Sequence, residues 1–160
     1  MLAQVVPSPP PPAVAPRAVP RVLVAFDGSP GAWRALDAAI RLAGARDAEL
    51  TIAGVVTDPA PWFACSVPMC ACATLRHDAQ LAIEQALAAA RDEVPAAIPV
   101  EVRVLHGRPA SALIALADTG GYDLVVAGPR PAGRVRRLFR RSVTHALLTR
   151  SRASVLAVKD

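Results

Sequence analysis

Side chains able to do chemistry gather in three places along this 160-residue chain. The first is Asp27-Gly28-Ser29-Pro30, an acid and a hydroxyl beside a glycine and a proline. The second is Cys65-x4-Cys70-x-Cys72-x4-His77, with Met69 inside it. The third is Gly128–Ser142, where Arg130, Arg134, Arg136, Arg137, Arg140 and Arg141 place six guanidinium groups within twelve residues. Guanidinium binds phosphate through paired hydrogen bonds, and Ser142 at a helix N-terminus would be an anion site in its own right. Gly133 adds backbone freedom inside the same segment. Such a basic stretch can also grip nucleic-acid backbones. With Phe139 as its one aromatic neighbour and no reading module beside it, no specific nucleic-acid partner is expected.

Thiolates and imidazole are ligands for zinc or copper(I), which makes Cys65, Cys70, Cys72 and His77 the candidate metal set. Their spacing departs from the paired Cys-x2-Cys pattern of zinc sites. Small apolar cysteines packed in a loop against a sheet are the plainer reading, so no metal is expected. His106 and His145 are isolated in sequence; His106 follows a strand and could touch a ligand there. No Ser-His-Asp order, paired carboxylates or metalloprotease pattern can be assembled, so no catalytic residue is assigned. Three cysteines and no export signal point to a reducing, cytoplasmic setting.

These residues need elements to hold them. Apolar residues make up 53% of the chain but aromatics only 4%, so the core is to be built from Ala, Val, Leu and Ile. No apolar run is long enough to span a bilayer. Residues 1–20 hold seven prolines and read as a disordered, extended proline-rich tail, leaving 21–160 as one domain. Val22 to Phe26 is a continuous apolar run, as in a strand covered on both faces. Ser29 can cap a following helix and Pro30 suits its first position. Trp33, Leu36, Ile40 and Ala43 then recur at helical spacing, and Gly44 is read as the stop.

Strands are also expected at 49–56, 100–105, 122–127 and 153–158. The helices between them start near Leu75, Pro109 and Ser142, with 57–73 irregular. In the helix after that loop, Leu75, Ala79, Ala82, Ile83, Ala86, Leu87 and Ala90 form the expected core face. The alternation βαβαβαβαβ calls for right-handed crossovers and a doubly wound α/β sheet of five parallel strands with helices on both faces. Ligands of such sheets sit outside the carboxyl ends of the strands, where strand order reverses. The loops at 27–30, 56–73, 106–108 and 128–141 occupy that edge.

Val22-Leu23-Val24-Ala25-Phe26-Asp27-Gly28-Ser29 resembles the opening strand and turn of universal stress proteins. The stretch from Asp123 through Gly128 and Ser142-Val143 to Ser154–Val158 resembles their closing segment, and the likeness runs from Val22 to Lys159. It implies a flavodoxin-like, adenine nucleotide alpha hydrolase-like fold and a homodimer in which the final strands of two subunits meet. It further implies Asp27 beside an adenosine ribose, Val55 beside the base, and Gly128, Ser142 and Val143 around phosphates. ATP-binding members carry Gly-x2-Gly-x9-Gly-Ser/Thr at the last of these places. Here Gly128 and Ser142 match, while Pro131 and Arg141 replace the second and third glycines. Proline removes both a donor and the positive-φ bend that a phosphate nest uses.

The expected function is a regulatory binding protein of a stress response, a homodimer that takes ATP or another phosphate ligand, with magnesium only if ATP binds. Two alternatives stand beside it: a dimeric interaction protein that has lost the nucleotide, and a slow nucleotide hydrolase.

Overall fold

The computed structural model describes residues 19–57, 69–128 and 143–159, and at 69–72 the backbone only. Nine elements alternate along the described chain: β1 (Arg21–Ala25), α1 (Pro30–Arg46), β2 (Glu49–Val56), α2 (Met69–Asp92), β3 (Val100–His106), α3 (Pro109–Gly120), β4 (Leu124–Ala127), α4 (Val143–Arg150) and β5 (Ser154–Ala157). The five strands are all parallel, in the spatial order β3-β2-β1-β4-β5. This is the doubly wound α/β sheet that the alternation demanded.

Each central strand serves two cores, because successive side chains point to opposite faces. Val22 and Val24 of β1, Leu50 and Ile52 of β2 and Val126 of β4 pack against α1 and the last turns of α2. Leu23, Ala53 and Val125 point the other way, onto Leu113 and Ala117 of α3 and Leu147 of α4. Burial on both faces explains why these strands read as unbroken apolar runs. By contrast, β3 lies at an edge and alternates, with Glu101 and Arg103 exposed and joined by a salt bridge of 2.7 Å.

Three helix details differ from the sequence expectations. α1 runs through Gly44 and closes at Asp47, which adopts the left-handed conformation at φ 50°. There the Ala48 N–H reaches back to the Ala43 carbonyl at 3.0 Å, the six-to-one bond that seals such an end. The stripe of α1 buried deepest is Ala32, Ala35, Leu36, Ala39 and Ala43, while Trp33 and Ile40 flank it half-buried. Small alanines let the helix lie close to the sheet, so the bulkier pair is displaced to the side.

α2 begins at Met69 inside the stretch expected to be irregular, and its expected apolar face is buried only towards its C-terminal end. Leu87 and Ala90 are buried, but Leu75, about 18 Å further up the helix, is 45% exposed. The reason lies in β2. A Cβ at Gly54 would come within 2.8 Å of Ile83 and 3.0 Å of Leu87, so the helix docks on that bare backbone and its first turns pass beyond it.

Candidate functional site

The carboxyl ends of β1 and β4 are adjacent, and the chain leaves them in opposite directions across the sheet: β1 leads to β2, β4 leads to β5. That is the point where strand order reverses, and where parallel sheets of this kind open a crevice. Asp27 lies on its β1 side. The pairing Ala25–Ala53 continues through a 2.8 Å bond from the Phe26 N–H to the Ala53 carbonyl, so two steps on, Asp27 and Val55 fall side by side. On the other flank Ala25 pairs with Ala127, which brings Gly128 level with Phe26. Asp27, Val55 and Gly128 are therefore neighbours at one edge.

The turn after β1 is built from its own residues. Gly28 takes φ 75°, a conformation that L side chains rarely adopt. The Asp27 carboxylate accepts the Ser29 N–H at 3.1 Å, and Ser29 Oγ accepts the Ala32 N–H at 3.2 Å to cap α1. Asp27 is exposed and Val55 half-buried in the α3–α4 core. One oxygen of Asp27 thus holds the turn, on an exposed residue just past the end of β1.

Gly128 is fixed by contacts that its sequence position did not announce. A Cβ there would lie 1.8 Å from the Gly31 carbonyl oxygen and 3.0 Å from the Ala32 nitrogen, so two backbones touch where β4 ends on the first turn of α1. Thr144 Oγ1, one residue into α4, donates to the Gly128 carbonyl at 3.2 Å. Gly128 is wedged between the N-terminal turns of two helices, whose partial positive charges favour an anion. Gly31 and Thr144 were not singled out in the sequence. Glycine one step inside a capped helix was the available signal for the first; the second, an ordinary helix threonine, offered none.

Val143 begins α4 and packs into the α3–α4 core. Arg130, Gly133, Arg141 and Ser142, with Pro131, lie outside the described residues, as does Cys65. Positions 70 and 72 fall on the α2 helix backbone, and His77 is exposed further along the same helix. Among the described residues no group of three or more His, Cys, Asp or Glu could hold a metal ion. His106 ends the edge strand β3, exposed, level with Val56 and not beside Gly128.

Comparison with known proteins agrees with this geometry. Residues 19–159 match the model of the universal stress protein family. Universal stress protein YxiE of Bacillus subtilis is 29% identical over 145 residues, covering 87% of this chain and 98% of its own. A solved universal stress protein in complex with cAMP is 32% identical, covers 89% of this chain and 98% of its own, and superposes with a TM-score of 0.64. A family protein from Burkholderia pseudomallei gives a TM-score of 0.70 at 26% identity, over 89% of this chain and 98% of its own. With the sheet order, the switch-point turn and nearly the whole sequence in agreement, the chain belongs to the universal stress protein family.

Proposed function

We propose that this protein is a regulatory binding protein that takes an adenine nucleotide carrying a single phosphate, cAMP foremost, at the crevice between β1 and β4. The observation that carries this is the placement of Asp27 and Val55 beside Gly128, where two helix N-termini meet. The 32% identical relative solved with cAMP supplies the ligand class. A triphosphate needs several backbone donors, and Pro131 and Arg141 stand where the ATP-binding pattern has glycines. One phosphate asks for fewer donors, and a helix N-terminus with Ser142 and a guanidinium can supply them. In this reading Asp27 accepts from a ribose hydroxyl, Val55 packs on the base, and Gly128, Arg130, Gly133, Arg141, Ser142 and Val143 surround the phosphate. The bound nucleotide then sets which surface the loop at 129–142 presents to partners.

Calorimetry with cAMP, AMP and ATP, each with and without magnesium, tests the proposal. Saturable cAMP binding is expected, tighter than ATP and indifferent to magnesium. Asp27→Ala should weaken it by about tenfold, or about 1.4 kcal/mol. No heat from any of the three at millimolar concentration would leave a nucleotide-free interaction protein of the same fold.

A homodimer through β5 completes the proposal. Among the described residues β5 is an edge strand with no neighbour on its outer side, carrying Val155, Leu156 and Ala157, and Leu156 is 37% exposed. An unpaired apolar edge finds stability in pairing.

A further inference from the structure

On the α1–α2 side of the sheet, away from the crevice, Trp33, Leu36, Asp37, Ile40 and Glu93 line an open groove of about 410 Å³. Trp33 forms its aromatic wall. Phe26 holds the indole edge-on, with ring centroids 5.0 Å apart and planes at 89°. Two carboxylates stand on the rim, both on exposed residues. Asp37 pairs with Arg41 one turn on, whereas Glu93 has no ion-pair partner among the described residues. Aromatic-lined grooves dock extended proline-rich segments, and carboxylates on the rim suit a basic residue next to such a segment.

We propose that this groove receives the chain's own N-terminal segment, with Pro12–Pro16 in polyproline II form against Trp33 and Ile40, and Arg17 against the carboxylates. Three observations favour that occupant. The segment has the composition: residues 7–16 include Pro7, Pro9, Pro10, Pro11, Pro12 and Pro16, and Arg17 is the one charged side chain before Arg21. It has the reach. The Pro20 carbonyl accepts the Glu49 N–H at 2.9 Å, so the chain joins the sheet at the amino ends of the strands, the end at which α1 finishes. From there Ile40 lies about 9 Å back along the helix from Arg46. It also has the length: Pro12 to Pro16 spans about 12 Å as polyproline II, against about 10 Å of α1 between Trp33 and Ile40. A preformed polyproline helix loses little entropy on docking, which suits a shallow groove. The docked tail would keep this surface from any other proline-rich partner until displaced. None of this depends on the nucleotide site.

Trp33 reports the contact directly. In full-length protein carrying Trp62→Phe, acrylamide quenching of the remaining indole is measured beside a full-length tail variant, Pro12→Ser, Pro16→Ser and Arg17→Glu. Quenching should rise severalfold in the tail variant and also in Glu93→Lys. Pairing Arg17→Glu with Glu93→Lys should lower it again, which a merely structural effect of either change would not do. Circular dichroism verifies that each variant is folded. Labelling the unsubstituted chain with 5-fluorotryptophan gives a second readout, in which the Trp33 fluorine resonance should move when the tail is altered. Equal quenching and an unmoved resonance in folded parent and tail variant would overturn the proposal. A protection that grows with protein concentration would overturn the intramolecular form and assign the groove to a second copy's tail.

Discussion

At the scale of the residue, Gly128 has two reasons to be glycine, and they belong to different levels. The family pattern asks for a flexible, donor-rich turn around phosphate. The fold asks for a missing side chain, because Gly31 backbone occupies the space where a Cβ would be. The second demand acts whether or not a ligand is bound. Backbone cannot swing aside as a side-chain tip can, so Gly128→Ala should cost about 3 kcal/mol of stability. A lowered urea midpoint with unchanged slope, measured without nucleotide, would show it; an unchanged midpoint would return Gly128 to a purely ligand-binding role. Asp27 divides in the same way, since one oxygen already holds the Ser29 N–H. Sequence displayed Asp27, Gly128 and the arginines as chemistry. It did not display Gly31 or Thr144, whose significance is a contact across about a hundred residues of chain in the one case and sixteen in the other.

Among the elements, the helix ends and faces separate what local pattern can and cannot tell. Ser29 and Pro30 were legible as the start of α1 because capping is a short-range affair. Its stop was misplaced: Gly44 is the better αL residue, yet the helix continues to place Ala43 in the core and closes on Asp47. An aspartate at φ 50° bears a steric cost that glycine does not. Asp47→Gly should therefore raise stability by about 0.5–1 kcal/mol, read as a higher thermal midpoint. A lower midpoint would mean that the Asp47 side chain contributes more than its backbone loses. For α2 the periodicity was right but the extent of cover was not. Leu75 has the spacing of a core residue, and sequence has no means of saying that the helix docks on Gly54 and then runs past its support.

For the molecule as a whole, the open β5 edge and the two-sided core set what association can do. α3 and α4 cover one face of the sheet, but Leu156 on the other face of β5 and Leu148 on α4 remain exposed, at 37% and 54%. Pairing of β5 with its counterpart would shelter Leu156 while extending the sheet. If the proposed dimer forms through this edge, Leu156→Lys should shift it towards monomer in light scattering behind size exclusion, with far-ultraviolet dichroism unchanged. A dimer of undiminished strength would place the contact elsewhere. No described helix is long and apolar enough to cross a membrane.

Sequence by itself determined the element types, their alternation and therefore a parallel doubly wound sheet, because unbroken apolar runs, caps and crossovers are written within a few residues or a few tens of residues. It also determined which loops lie at the carboxyl edge, and the family. Strand order was left to the tertiary structure, and with it the fact that β1 and β4 adjoin, so that Asp27, Val55 and Gly128 are neighbours at the carboxyl edge of the sheet. The same holds for the bare-backbone contacts at Gly54 and Gly128 and for the groove beside Trp33. Each depends on which surfaces meet once the chain has closed, and close packing of distant backbone leaves no periodic trace in the sequence.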